Sequence, residues 1–166
     1  MRPPRSPSDP LRALRAGAAI LALAGVVLLV VTTFAAIVRI RIGSATDPVL
    51  ATGTADSSGW DRHGMALLLL AAVAVPLALA ALRGTRAAGL ALAAVGLTVL
   101  GIALLADLPD LHDVGDLSLL YADSAAGPGP GWYTETAAAV TLLLSGITLA
   151  LLAPGSVQRR LSTSSA

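Results

Sequence analysis

The chain has 166 residues, of which 55% are hydrophobic, 13% charged and 3% aromatic, and its formal net charge is +1. An ordinary soluble domain is about 25% charged, so this composition excludes a disordered chain and a nucleic-acid-binding protein and indicates an integral membrane protein. The absence of cysteine excludes disulfides, thiol catalysis and cysteine-ligated metal sites.

Four apolar runs predict four membrane-spanning helices. A bilayer core of about 30 Å requires roughly 20 apolar residues in a helix, and backbone polar groups in lipid must be hydrogen-bonded within the chain. We therefore expect an all-α fold, a four-helix transmembrane bundle over residues 16–153 with two extracytoplasmic loops. Residues 1–15 and 154–166 are predicted to be disordered cytoplasmic tails. The four spans are about Ala16–Val38, Met65–Leu82, Ala87–Ala106 and Ala137–Ala153.

The distribution of arginine predicts the orientation of the bundle. All eleven basic residues are arginine, and eight of them flank the side that holds both termini. Cytoplasmic loops carry an excess of basic residues, so we expect both termini in the cytoplasm and the protein in a bacterial inner membrane. The eight are Arg2, Arg5, Arg12, Arg15, Arg83, Arg86, Arg159 and Arg160.

Two features of the second span predict its shape. Pro76 lies halfway along it and removes one helix hydrogen bond, which predicts a kink and a candidate hinge. The link Arg83–Arg86 has only four residues, so the second and third spans are predicted to form a tight antiparallel hairpin.

The first loop, about Arg39–Gly64, is rich in small and polar residues and is interpreted either as a short hairpin on the membrane or as a flexible loop. Arg39 and Arg41 follow the first span directly. We expect them to form ion pairs with Asp107 and Asp110 at the same depth, which would clamp the first span to the third.

The second loop, about Asp107–Thr136, is acidic. The spacing of Leu117, Leu120 and Tyr121 predicts a short interfacial helix over about Asp116–Ser124, which the glycines and prolines of 127–131 end. Three aromatic residues before the second and fourth spans are predicted to anchor the chain in the headgroup layer: Trp60, Trp132 and Tyr133.

The acidic loop also holds the weak metal-ligand candidates Asp107, Asp110, His112 and Asp113. Their spacing matches neither a zinc-binding helix nor a calcium loop, so a solvated acidic surface is favoured, with no metal and no cofactor. No nucleophile elbow surrounds any serine, so no catalytic residue is predicted and the chain is interpreted as a non-enzyme.

No ionisable residue lies inside the four runs, which argues against a proton-coupled transporter. Small and weakly polar residues recur there at helical spacing and let helices approach closely, either within this chain or against another one. These packing candidates are Gly89, Ala93, Gly96, Thr141, Ser145 and Thr148.

With the segments Gly59–Gly64, Asp107–His112 and Gly127–Tyr133, the layout resembles uncharacterised four-span membrane proteins of actinobacterial type, a resemblance that implies no activity. We expect a non-enzymatic accessory or scaffold protein that acts through its outer loops and helix faces. Its partners would be the lipid bilayer and another membrane protein or a second copy of the chain, with no nucleic acid. The alternative is a small-ligand or lipid transport or binding component, with the acidic loop 107–136 as an extracellular cap.

Overall fold

The computed structural model describes residues 9–43, 53–113 and 123–153. These residues form a mostly helical structure whose helices begin or end at a small antiparallel sheet. In chain order the elements are α1 (Asp9–Phe34), β1 (Ala36–Gly43), β2 (Gly53–Ser58), α2 (Gly59–His63), α3 (Ala66–Leu82), α4 (Arg86–Gly101), a π-helical segment (Ile102–Asp107), α5 (Leu108–Asp110), β3 (Asp123–Pro128) and α6 (Pro130–Leu151).

Three of the helices are long and apolar enough to cross a membrane: Pro10–Phe34, Arg86–Asp110 and Pro130–Leu151. The fourth apolar helix, α3, has 17 residues and contains Pro76 without interruption. The second and third predicted spans agree with α3 and α4 to within one residue at their starts. Between them, Gly84 adopts a φ of 95°, which a side chain would disfavour, and its amide donates to the carbonyl of Ala81 at 2.9 Å.

The predicted limits of the first and last spans are wrong. Helix α1 begins at Asp9, inside the predicted disordered tail, and ends at Phe34, because the chain turns there into strand β1. Helix α6 begins at Pro130, seven residues before the predicted start. Proline is favoured in the first turn of a helix, where its missing N–H costs no hydrogen bond. The tail 154–166 lies outside the described residues.

The sheet has the order β2-β1-β3, with both pairs antiparallel. In β1, Ile40 pairs with Ala55 on one side and with Ala126 on the other. Strand β1 thus makes the first loop a hairpin, and β3 joins this hairpin to the second loop. Most of the predicted interfacial helix, residues 116–122, lies outside the described residues, and its last two positions, Asp123 and Ser124, belong to β3.

Close helix packing depends on glycine. A Cβ on Gly96 would lie 2.5 Å from the amide nitrogen of Leu143, and one on Gly89 would lie 2.8 Å from that of Ala150. Gly146 approaches the backbone of Ala93 in the same crossing. Of the predicted packing residues, Gly89, Ala93 and Gly96 therefore lie where α4 crosses α6.

The remaining packing candidates lie on α6. Thr141 faces α1, where its hydroxyl would be 2.8 Å from a Cβ on Gly25, and Thr148 lines an apolar groove with α1 residues including Leu14 and Leu21. Ser145 is fully buried and donates to the carbonyl of Leu142 at 3.0 Å. All these small residues thus lie at contacts between helices of this chain.

Candidate functional site

A cluster of charged side chains lies where α2, the π-helical segment and α6 meet beside the sheet. We call it the sheet-end cluster, and it consists of Arg62, His63, Asp107, Asp110 and Glu135. It was not predicted from the sequence, because its members come from three separate parts of the chain.

Helix α2 supplies Arg62 and His63, and its start is closed by a capping box. The hydroxyl of Ser58 accepts from the amide of Asp61 at 3.3 Å, and the amide of Ser58 donates to the Asp61 carboxylate at 3.0 Å. The hydrogen bond with the Ser58 hydroxyl also lowers the pKa of Asp61. Such reciprocal caps fix the first turn of a helix, so the two basic side chains that follow have a defined direction.

The π-helical segment supplies Asp107, its last residue. The amide of Leu108 donates to the carbonyl of Ala103, one residue further back than in an α-helix. The widened turn ends just before Pro109, which has no N–H to donate. Single widened turns of this kind are frequent at functional sites, and here the turn lies beside a fully buried carboxylate at Asp107.

Asp107 and Asp110 share the guanidinium of Arg62. The Nε of Arg62 donates to Asp107 at 2.9 Å, and one terminal nitrogen donates to Asp110 at 2.8 Å. The predicted pairing of Asp107 and Asp110 with Arg39 and Arg41 is therefore wrong. Arg39 lies instead 3.5 Å from Asp56 of the neighbouring strand, because β1 carries it away from the bundle. The side chain of Arg41 lies outside the described residues.

His63 contacts the second oxygen of Asp107. Its Nε2 lies 3.0 Å from Oδ2, and because an ionised carboxylate only accepts hydrogen bonds, Nε2 carries the hydrogen. This hydrogen bond raises the pKa of His63. Both oxygens of Asp107 are thus bonded to basic groups, which offsets the cost of burying its charge.

Glu135 completes the sheet-end cluster and differs from its neighbours. It is fully buried, and neither carboxylate oxygen has a hydrogen-bond partner among the described residues. One of its oxygens, one oxygen of Asp107 and one ring nitrogen of His63 all lie within 4.8 Å of one another. Glu135 was expected in a solvated loop, but the early start of α6 places it on that helix.

The predicted metal-ligand candidates do not come together as a group. Asp107 is buried in the sheet-end cluster and Asp110 is bound to Arg62 at its exposed edge, whereas His112 and Asp113 lie on the surface beyond α5. The histidine that approaches Asp107 is His63. The sequence contains a partial signal for this arrangement, since Glu135 precedes Ala138, Leu142 and Ser145 at the spacing of one buried helix face.

The three predicted aromatic anchors have different surroundings. Trp60 and Tyr133 are exposed, as expected of residues at a membrane surface. Trp132 is turned inward, packs against the small apolar cluster beneath β1 and donates its indole N–H to the carbonyl of Ala103 at 3.1 Å. It therefore joins α6 to the π-helical segment.

No family model matches the sequence, and no curated protein is significantly similar to it. The chemistry of the sheet-end cluster is therefore inferred from its own geometry.

Proposed function

We propose that the protein is a non-enzymatic accessory or scaffold protein of a bacterial inner membrane, with four spans, and that its sheet binds an extended segment of another membrane protein. Helix α3 would be the fourth span: its 17 residues extend about 26 Å, and it packs between α1 and α4. Arg15, Arg83 and Arg86 at the end opposite the sheet support cytoplasmic termini and an extracytoplasmic sheet.

The open edge of β3 is the observation that carries this proposal. Gly129 donates to the carbonyl of Ile37 at 2.7 Å, and hydrogen-bonded pairs alternate along an antiparallel ladder. The amide of Ala126, three positions earlier, therefore points away from β1. Among the described residues no strand pairs with this edge, so it offers backbone groups to an added strand.

The side chains along this edge suit a partner backbone. Ala125, Ala126 and Gly127 are small, and with Pro128 they line a shallow depression beside the exposed guanidinium of Arg39. An extended segment with an acidic residue would place its backbone along β3 and its carboxylate near Arg39. The close contacts of the sheet with the bundle, described above, hold this edge in a fixed position.

The test is site-specific photocrosslinking in the native membrane. A photoreactive residue at Ala125, which is exposed on β3, should give an adduct with one protein, mapped by mass spectrometry to an extended segment. The variant Ala126→Pro removes the outward amide and should abolish that adduct. A photoreactive residue at Leu79, exposed on α3, is the control for random contacts. Adducts with lipid alone, or an adduct that Ala126→Pro leaves unchanged, would contradict the proposal.

A second candidate function is a small-ligand transport or binding component. Glu135 favours it, because a buried polar group without a partner is costly in a native structure unless a ligand satisfies it. Asp107, α5, β3 and the first turns of α6 would then form the extracellular cap of that ligand site.

A further inference from the structure

We propose that His63, Asp107 and Glu135 form a binding site for a divalent transition-metal ion, for which Zn²⁺ is the natural probe. The inference is independent of the docking function proposed above, since it concerns the interior of the sheet-end cluster and not the edge of β3.

The first argument is the state of Glu135. A fully buried carboxylate without a hydrogen-bond partner loses its hydration and gains nothing in return. Buried charges in proteins are normally paired or bound to metals. No cationic group bonds to Glu135, because Arg62 is bonded to Asp107 and Asp110, and the Nε2 of His63 is bonded to Asp107. A metal ion between the three residues would satisfy it.

The second argument is the geometry of the donors. Zinc binds histidine nitrogen and carboxylate oxygen at about 2.0–2.2 Å, which in a tetrahedral site spaces the donors by about 3.4 Å. The Nε2 of His63 and Oδ2 of Asp107 are 3.0 Å apart, and one oxygen of Glu135 completes a set within 4.8 Å. Small rotations of the side chains are enough to close this set around one ion.

The third argument is charge. The sheet-end cluster has three carboxylates, one guanidinium and one imidazole. With a neutral imidazole and an ionised Glu135, it lacks two positive charges, which one divalent cation supplies. The ion would replace the hydrogen that His63 and Asp107 share in the structure.

The surroundings match those of known metal sites. Ligating carboxylates are usually held by a further hydrogen bond, and Arg62 provides this bond to the other oxygen of Asp107 at 2.9 Å. The capping box of α2 fixes the segment that carries His63. Imidazole with carboxylates suits zinc and its transition-metal neighbours, whereas Ca²⁺ and Mg²⁺ bind mainly oxygen. The site should therefore discriminate against Ca²⁺ and Mg²⁺.

The chain provides a matched control, because it contains only two histidines. His63 belongs to the proposed site, and His112 lies exposed on the surface beyond α5. Asp110 is an equivalent control among the carboxylates, since it shares Arg62 but lies outside the three donors. The experiment uses the full chain in detergent micelles after treatment with a chelator.

Zn²⁺ is titrated calorimetrically, and bound metal is counted after gel filtration. We expect one Zn²⁺ per chain, an affinity at least about tenfold weaker in His63→Gln and Glu135→Gln, and an unchanged affinity in His112→Gln and Asp110→Asn. Mg²⁺ should give no saturable binding in the same range. No saturable uptake by the unmodified chain would overturn the proposal, and so would uptake that depends on His112 instead of His63.

Two further measurements separate ligand loss from misfolding. Without metal, Glu135→Gln should melt at the same temperature as the unmodified chain or higher, because it removes an unpaired buried charge. Added Zn²⁺ should then raise the melting temperature of the unmodified chain only. Co²⁺ bound to the unmodified chain should give visible absorption bands of a four- or five-coordinate nitrogen and oxygen site. Their absence would contradict the proposal even if every variant fails to fold.

Discussion

Trp132 donates its indole N–H to the carbonyl oxygen of Ala103 at 3.1 Å, and this hydrogen bond joins the first turn of α6 to the π-helical segment. The same carbonyl accepts the amide of Leu108. Two parts of the chain thus meet at one backbone oxygen, directly beside the buried carboxylate of Asp107.

Replacing Trp132 should therefore cost stability that replacing its neighbour does not. Trp132→Phe removes the indole donor, and the loss of one hydrogen bond is worth about 1 kcal/mol. Tyr133→Phe is the matched control, because Tyr133 is exposed and keeps its ring contact with Trp132. The free energy of unfolding, measured in detergent micelles, should fall only in Trp132→Phe. An equal change in both variants would mean that the hydrogen bond contributes little.

Arg62 should be far more important for stability than Arg39. Arg62→Gln leaves the fully buried Asp107 without its guanidinium, and breaking a buried pair in this way costs about 3–5 kcal/mol. Arg39→Gln breaks an exposed pair with a separation of 3.5 Å, which is worth less than about 1 kcal/mol. Chemical unfolding of the two variants in the same detergent tests the difference. Similar losses would show that Asp107 does not depend on Arg62.

The crossing of α4 and α6 should not tolerate a side chain at Gly96. In Gly96→Ala the new Cβ would lie 2.5 Å from the amide nitrogen of Leu143, so the helices must separate, at a cost of about 1–3 kcal/mol. Gly101→Ala in the same helix meets nothing within 4 Å and should be neutral or slightly stabilising, since alanine favours helix over glycine. Thermal unfolding that ranks the two variants in the reverse order would refute this packing.

The start of α6 should hold the sheet in place through Gly131. In Gly131→Ala the new Cβ would lie 2.7 Å from the carbonyl oxygen of Ala36 and 2.8 Å from that of Ala35. This variant should increase hydrogen–deuterium exchange in β1 by loosening its first residues. Gly127→Ala, which meets nothing within 4 Å, should exchange like the unmodified chain. Unchanged protection of β1 in Gly131→Ala would mean that other contacts hold the sheet.

The helices were largely predictable, whereas the sheet was not. Apolar runs and the short link at Gly84 are local signals, and they gave α3 and α4 nearly to the residue. The run that contains α1 continues into Ile37 and Val38, which share its hydrophobicity but belong to β1. The signal there is the alternation of isoleucine and arginine from Val38 to Ile42, which has the period of a strand. Averaging hydrophobicity over the run concealed it.

The sheet-end cluster depends on tertiary structure that no local pattern contains. His63 and Asp107 are adjacent only because α3 and α4 form an antiparallel hairpin that returns the chain to the same end of the bundle. Glu135 joins them only because α6 begins at Pro130. The sequence rule that ionisable residues lie outside the apolar runs is satisfied at the level of the runs. It does not follow that these residues are in water, since Asp107 and Glu135 are both fully buried.

The order β2-β1-β3 has a consequence for biosynthesis. Strands β1 and β2 are neighbours in the chain and can pair as soon as both have been made, whereas β3 is synthesised only after α3 and α4. Until then one edge of β1 has no neighbour, and its isoleucines lack their cover. The last helix follows β3 directly, so its insertion and the completion of the sheet are one event. A ribosome stalled before Pro130 would therefore hold a chain with an exposed strand edge, which is the form most open to chaperones, proteases and self-association.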